Sequence, residues 1–325
     1  MRPLAALFTA LLATGLSAAP ARAQEAAAWP NQAIRMIVPF PAGGPADIVA
    51  RVVSERMAQV WGQPIVIENK PGANTAIAAG QVAKAPANGY TLLVVMDVTM
   101  VLNPLTSKNL SYDPVRDFDP ISLLSKNTSL LTVHVDGPKT LAELIALGRA
   151  NPGKLNFGAG IITTRLAAEL FNKETGIIAQ FVPFQGSPPT VQALLSKSVD
   201  YIVDGQAASL PMIQAGTFRA LAKTNEGPVP ALPHLRSLAV EAGSSALNDV
   251  STWIGVVAPA GTPRAIIDKV SGEIAKIYAD PAMMERLQKA GINAVSSTPE
   301  ELARFIKSEG VRWGKVVKDS GIELN

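Results

Sequence analysis

The chain has 325 residues, 48% of them apolar and 17% charged, which is enough to bury two cores and too apolar for a disordered chain. It carries no cysteine and only two histidines, His134 and His234, which excludes disulfides, thiolate nucleophiles and Cys-ligated metals and leaves too few imidazoles for a His-rich metal centre. Setting aside Arg2 and Arg22 of a leader segment lowers the formal charge from +3 to +1, with 27 Lys+Arg against 26 Asp+Glu. The basic residues are scattered without aromatic interleaving, so no nucleic-acid footprint is present.

Residues 1–23 have the form of an export signal. Arg2 supplies a positive start, Leu4 to Leu12 an apolar run, and Ala21-Arg22-Ala23 a small-residue cleavage pattern. The run is shorter than the ~20 residues a membrane span needs. Cleavage after Ala23 is therefore expected, with the mature chain outside the cytoplasmic membrane; the alternative is an uncleaved anchor.

Ile34 to Val38 reads as a strand, followed by the turn-rich Phe40-Pro41-Ala42-Gly43-Gly44-Pro45-Ala46-Asp47 and a helix that Gly62 stops. A strand at Ile65–Glu68, a helix to about Lys84 and a buried strand at Thr91–Val95 complete a first unit. Strand, glycine turn and helix in alternation predict a parallel sheet with covering helices. The pattern restarts with a capping box at Thr140–Glu143. It continues through a strand at Leu155–Phe157, a helix through Leu166–Phe171, strands at Ile177–Val182 and Val199–Val203, and another at Arg219–Ala222. Further on, Thr252–Ala258 is strand-like, and Thr262-Pro263 predicts an N-cap with proline in first helical position. Thr298-Pro299-Glu300-Glu301 repeats that device. The fold class is α/β, with lobe 1 at 24–130, lobe 2 at 131–250, and 251–325 returning to lobe 1. Chain crossings are expected near 121–135 and 245–255.

Several short motifs, in order, resemble the Bug family, the receptors of tripartite tricarboxylate transporters. They include Val38-Pro39-Phe40-Pro41-Ala42-Gly43-Gly44-Pro45-Ala46-Asp47, Glu68-Asn69-Lys70-Pro71-Gly72-Ala73, Asn88-Gly89-Tyr90-Thr91-Leu92-Leu93, Tyr112-Asp113-Pro114, Ala258-Pro259-Ala260-Gly261-Thr262-Pro263 and Trp313-Gly314-Lys315-Val316-Val317. The resemblance implies a two-lobed, type II periplasmic-binding-protein-like fold. It also implies a carboxylate ligand in the cleft, no cofactor and no metal, integral membrane transporter subunits as partners, and a periplasmic monomer.

Candidate site residues follow from the loops. Gly43 and Gly44 precede a helix whose free N–H groups attract an anion; on local sequence alone they equally make a tight turn. Phe40, Pro41 and Ala42 flank them, with Phe40 either a ligand platform or core, as for Phe184 and Trp253. Asp47 either complements the helix terminus or orients the glycine loop. In the second lobe Gly158 and Gly160 with Thr163 and Thr164 suit the distal end of a ligand, unless one Thr merely caps the helix. Gln185, Gly186 and Ser187 form another strand-to-helix turn, and Asp204 ends a strand, a position where the resemblance implies an amino group or a water. The loop before Arg165 is shorter than is usual in the family. Arg165 stands where histidine is usual, and Asp97 replaces a neutral residue. Either Arg165 catches a remote carboxylate of a larger or more apolar acid, or it is solvated and Asp97 pairs with it or faces a cation. Acids near the cleft disfavour citrate, leaving a di- or aromatic carboxylate. No G-x-S-x-G, P-loop or H-E-x-x-H motif is present, so catalysis is not expected. The alternatives are an Asp97–Asp204 acid–base pair, or a receptor that presents its ligand to a sensor kinase.

Overall fold

A computed structural model describes residues 29–320 except 108, 248 and 249; the expected leader lies outside the described residues. Two five-stranded sheets repeat one plan. In the first, β1 (Ile34–Val38) lies between β2 (Ile65–Asn69) and β3 (Thr91–Met96), all parallel. β10 (Thr252–Pro259) then pairs antiparallel with β3 and with β4 (Phe118–Asn127). In the second, β6 (Leu155–Ala159) lies between β7 (Ala179–Pro183) and β8 (Tyr201–Gly205), all parallel. β5 (Ser129–His134) joins β8 to β9 (Phe218–Lys223), antiparallel to both. β3 and β8 therefore hold equivalent places, and each ends beside an aspartate, Asp97 and Asp204.

The central strands form these sheets because both faces are covered. Ile34, Met36, Ile37 and Val38, and every residue from Leu92 to Val95, are buried, so the strands read as apolar runs, broken in β1 only by the exposed Arg35. Helix α1 (Pro45–Trp61) follows β1 and ends at Gly62, whose φ of 66° lets its N–H reach Ala58 O. Helix α2 (Ala76–Val82) follows β2, and after β3 a π turn at Val98–Leu102 runs into α3 (Asn103–Thr106). The second sheet carries α4 (Leu141–Ala150), α5 (Ile162–Thr175), α6 (Ser187–Leu195), α7 (Gln206–Gln214) and α8 (Leu238–Ala242). Helices α9 (Arg264–Ala279), α10 (Pro281–Lys289) and α11 (Pro299–Ser320) close the chain, with α9 and α11 packing on β4.

Strand pairing narrows the first crossing between sheets to Thr128, because the segment read as a connection near 121–135 is mostly β4 and β5. Thr128 Oγ1 donates to Asn225 Oδ1 (2.9 Å), just past β9, and the return segment is tied to the same place, Val250 N donating to Thr224 O (3.2 Å). The α10–α11 link adds a third tie: Lys126 N donates to Asn293 O (3.0 Å) and Asn293 Nδ2 to Pro228 O (3.2 Å).

The Thr140 box forms only in half, Glu143 Oε2 accepting from Lys139 N (2.7 Å) instead of Thr140 N, while the Thr298 N-cap extends into a full box. Thr140 Oγ1 accepts from Glu143 N (3.1 Å), and Thr298 and Glu301 exchange bonds of 2.8 and 3.2 Å. Thr262 does not cap α9. Its hydroxyl donates back to Pro259 O (2.7 Å), closing the preceding turn, so Pro263 becomes the N-cap and the helix starts one residue late. β7 and β8 begin two residues later than the apolar runs at Ile177 and Val199, which are buried as connectors.

Candidate functional site

The loop after β1 is held from within. Gly43, with φ 82°, donates its N–H to Asp47 Oδ2 (2.9 Å). Asp47 also accepts from Arg51 Nε (2.9 Å) and Asn69 Nδ2 (2.9 Å), and Asn69 Nδ2 reaches Phe40 O (3.0 Å) as well. Burial alone would raise the Asp47 pKa, but the hydrogen bonds from Arg51, Gly43 and Asn69 outweigh it and leave the carboxyl below its ordinary value. The Gly43 amide is thus turned onto Asp47, and the edge that lines the cavity is Gly44, Pro45 and Ala46. Gly44 is the N-cap of α1 with no side-chain cap, which leaves first-turn amides open.

These residues form one wall of a cavity between the lobes, with Phe40 and Pro41. Three βα junctions of the second lobe form the other. β6–α5 supplies Gly160, Ile161 and Thr164; β7–α6 supplies Gly186, Ser187 and Pro188; β8–α7 supplies Asp204, Gly205, Gln206 and Ala207. The N-caps of these helices, Ile161, Gly186 and Gly205, also lack side-chain caps. Four helix N-termini therefore open on one cavity, and no Lys, Arg or His lines it. Their partial positive charges sum on whatever lies between them. The floor is Met96, Asn127, Ser129, Thr252 and Gly291.

Asp204 is 3% exposed. Its Oδ1 accepts from Ser187 Oγ (2.6 Å), while Oδ2 has no hydrogen-bond partner among the described residues. Burial pushes its pKa up to about 6, against the opposing bonds from Ser187 and Gly205. Ser129 Oγ and Gln206 Oε1 are likewise buried without partners among the described residues. Such groups cost roughly 1–3 kcal/mol each unless something completes them.

The lobes touch. A Cβ on Gly186 would stand 3.1 Å from Pro41 Cδ, and one on Gly205 would stand 3.2 Å from Pro45 Cγ. The space left is about 30 Å³, room for about two waters and too little for an organic molecule with the lobes in this arrangement.

The cavity wall therefore unites Phe40, Pro41, Gly44, Gly160, Thr164, Gly186, Ser187 and Asp204 among the residues singled out from sequence. Gln185 lines an adjoining cleft with Gly72 and Asn74. Ala42 is exposed beside the cavity, and Gly158 lies under Phe184, where a Cβ would stand 2.9 Å from the ring. Trp253 is buried against Phe305, ring centroids 5.4 Å apart. Arg165 turns away: it pairs with Glu169 (2.5 Å) and lies 4.5 Å over the Phe181 ring, not on Asp97. Asp97 is fully buried behind Met96 and accepts from Thr163 Oγ1 of the opposite lobe. It does not share the cavity with Asp204. Asn127, Ser129 and Thr252 at strand ends, Gln206 at the start of α7 and Gly291 just past α10 carry no motif that marks them in the sequence.

Two lobes clasping a single cavity of uncapped helix ends define a solute-binding protein. The profile of the tripartite tricarboxylate transporter family receptor matches residues 49–322, and the chain belongs to that family. A protein of Pseudomonas sp. strain P51 is 35% identical over 97% of this chain and 94% of its own length. BugT of Bordetella pertussis is 32% identical over 100% and 99%. Among solved structures, R. palustris Rpa4515 with adipate is 34% identical, covering 90% of this chain and 99% of that one, with a TM-score of 0.87. MatC from Rhodopseudomonas palustris with bound malate is 31% identical, covering 89% and 100%, with a TM-score of 0.80. Among the described residues no helix is long and apolar enough to cross a membrane.

Proposed function

We propose that the chain is an exported periplasmic receptor, acting as a monomer, that captures a small carboxylate and delivers it to a tripartite tricarboxylate-type membrane transporter. The observation that carries this reading is the meeting of four uncapped helix N-termini on a cavity without a cationic side chain. Amides of α1 and of α5–α7 grip a carboxylate, each charge-assisted bond contributing about 1.5–3 kcal/mol. Phe40, Pro41, Met96, Ile161 and Pro188 present apolar wall to the carbon skeleton. Asp204 opposes additional negative charge, which favours a di- or aromatic carboxylate over citrate. The lobe of β1–β4 and β10 and the lobe of β5–β9 move relative to each other about Thr128 and the return segment before β10.

A thermal-shift and calorimetry panel of adipate, malate, benzoate and citrate tests the reading. Stabilisation by one of the first three, with the acid recovered intact, is the expected result. Retention of no carboxylate, or of citrate alone, sinks it. N-terminal sequencing of the exported chain should start at Gln24.

A further inference from the structure

The first-lobe aspartate in the place equivalent to Asp204 has no role in the grip just described. Asp97 leaves β3 at the base of the π turn, and its Oδ2 accepts a hydrogen bond from Thr163 in the first turn of α5. The bond joins residues 66 apart in sequence and on opposite lobes. Asp97 is 0% exposed, Thr163 likewise, and Asp97 Oδ1 has no hydrogen-bond partner among the described residues. A carboxylate sealed in this way has lost its water on one oxygen with no well-formed hydrogen bond to replace it, a costly arrangement for the charged form.

We propose that Asp97 is a positioning residue that couples lobe closure to proton uptake: the closed receptor holds Asp97 as the neutral acid, donating to Thr163 Oγ1, and the open receptor releases that proton to water. The balance is one proton taken from solvent onto the carboxylate as the lobes close, with no other bond made or broken. The inference goes beyond carboxylate capture and needs only that the lobes part.

The charged groups around Asp97 agree with this sense. On α11, Glu309 is a like charge near it, itself tied to Arg312 (2.8 Å) and Trp313 Nε1 (3.2 Å). On α5, Arg165 is engaged with Glu169. Burial first, then Glu309, push the Asp97 pKa up to about 7, while Thr163 and the amides of Asp97 and Val98 pull the other way. A solvated aspartate titrates near about 3.9. The closed state therefore has the higher pKa, and its advantage is full below the open value and is lost as pH rises through about 7. Asp204 adds a second proton, lost at about pH 6; between about pH 6 and 7 Asp97 supplies most of the fall in the closure constant, about fivefold, and Asp204 about twofold.

The chain has no cysteine, so spin labels at Val115→Cys and Ile178→Cys, both exposed and one on each lobe, report the interlobe distance in the ligand-free chain at each pH. The closed fraction should fall from about pH 6 to 7, and in Asp97→Asn the fall should shrink to the roughly twofold change that Asp204 leaves. Thr163→Val, which removes the donor that favours the charged form, should move the midpoint to higher pH. A closed fraction indifferent to pH, or a response unchanged in Asp97→Asn, overturns the proposal. Adipate added in two buffers of different ionisation enthalpy measures the same proton in the loaded state. If no carboxylate is retained while the pH response persists, the ligand reading has failed and this one has not.

Discussion

The two rims of the cleft handle their acids in opposite ways. On the first-lobe rim, Asp47 is saturated by Gly43, Arg51 and Asn69 and holds its loop in one shape. On the second-lobe rim, Asp204 accepts from Ser187 at Oδ1 and leaves Oδ2 without a partner among the described residues. A saturated carboxylate is scaffold; a half-satisfied one facing a cavity is available to a ligand or a proton. Position at a helix N-terminus does not separate the two roles, but hydrogen-bond accounting does.

The largest blow to this contrast is a wedge. Gly205→Val places a branched side chain where a Cβ alone would be 3.2 Å from Pro45 Cγ. Overpacking of about 1–3 kcal/mol falls on the closed state only, so calorimetry should show about a hundredfold weaker binding with an unchanged circular dichroism spectrum. Ala46→Pro is next. Proline is tolerated in the first turn of a helix and deletes one amide from the grip, which should weaken binding about tenfold or more. Asp204→Asn acts mainly on pH. The raised pKa of Asp204 means its proton supports closure below about 6 and is lost above it. The variant should lose one proton's worth of pH dependence between about pH 4 and 6 and change little in affinity below that range. Thr298→Ala touches neither rim. It removes half of the α11 capping box and should cost about 1 kcal/mol in urea unfolding, with affinity unaltered.

Much of the scaffold was legible because the central strands are buried on both faces and read as apolar runs, with glycine turns marking each junction. The cavity was half legible for the same reason: Gly44, Gly160, Gly186 and Asp204 stand at the ends of those runs. Which glycine amide faces the ligand was not, because Gly43 is claimed by Asp47, which in turn depends on Asn69, 22 residues further on. Asn127, Ser129, Thr252 and Gly291 reach the cavity floor from segments that only the fold unites. Arg165 had a readable partner, since Glu169 four residues later is a helical ion-pair spacing. The Asp97–Thr163 contact had no local signal at all.

The proposed grip of peptide N–H groups has an evolutionary consequence. Every residue except proline brings the same donor, so mutations that reshape Met96, Ile161 or Phe40 can alter which carbon skeleton fits without disturbing what holds its acid end. Such a receptor can change diet by small steps, each intermediate still able to seize an anion.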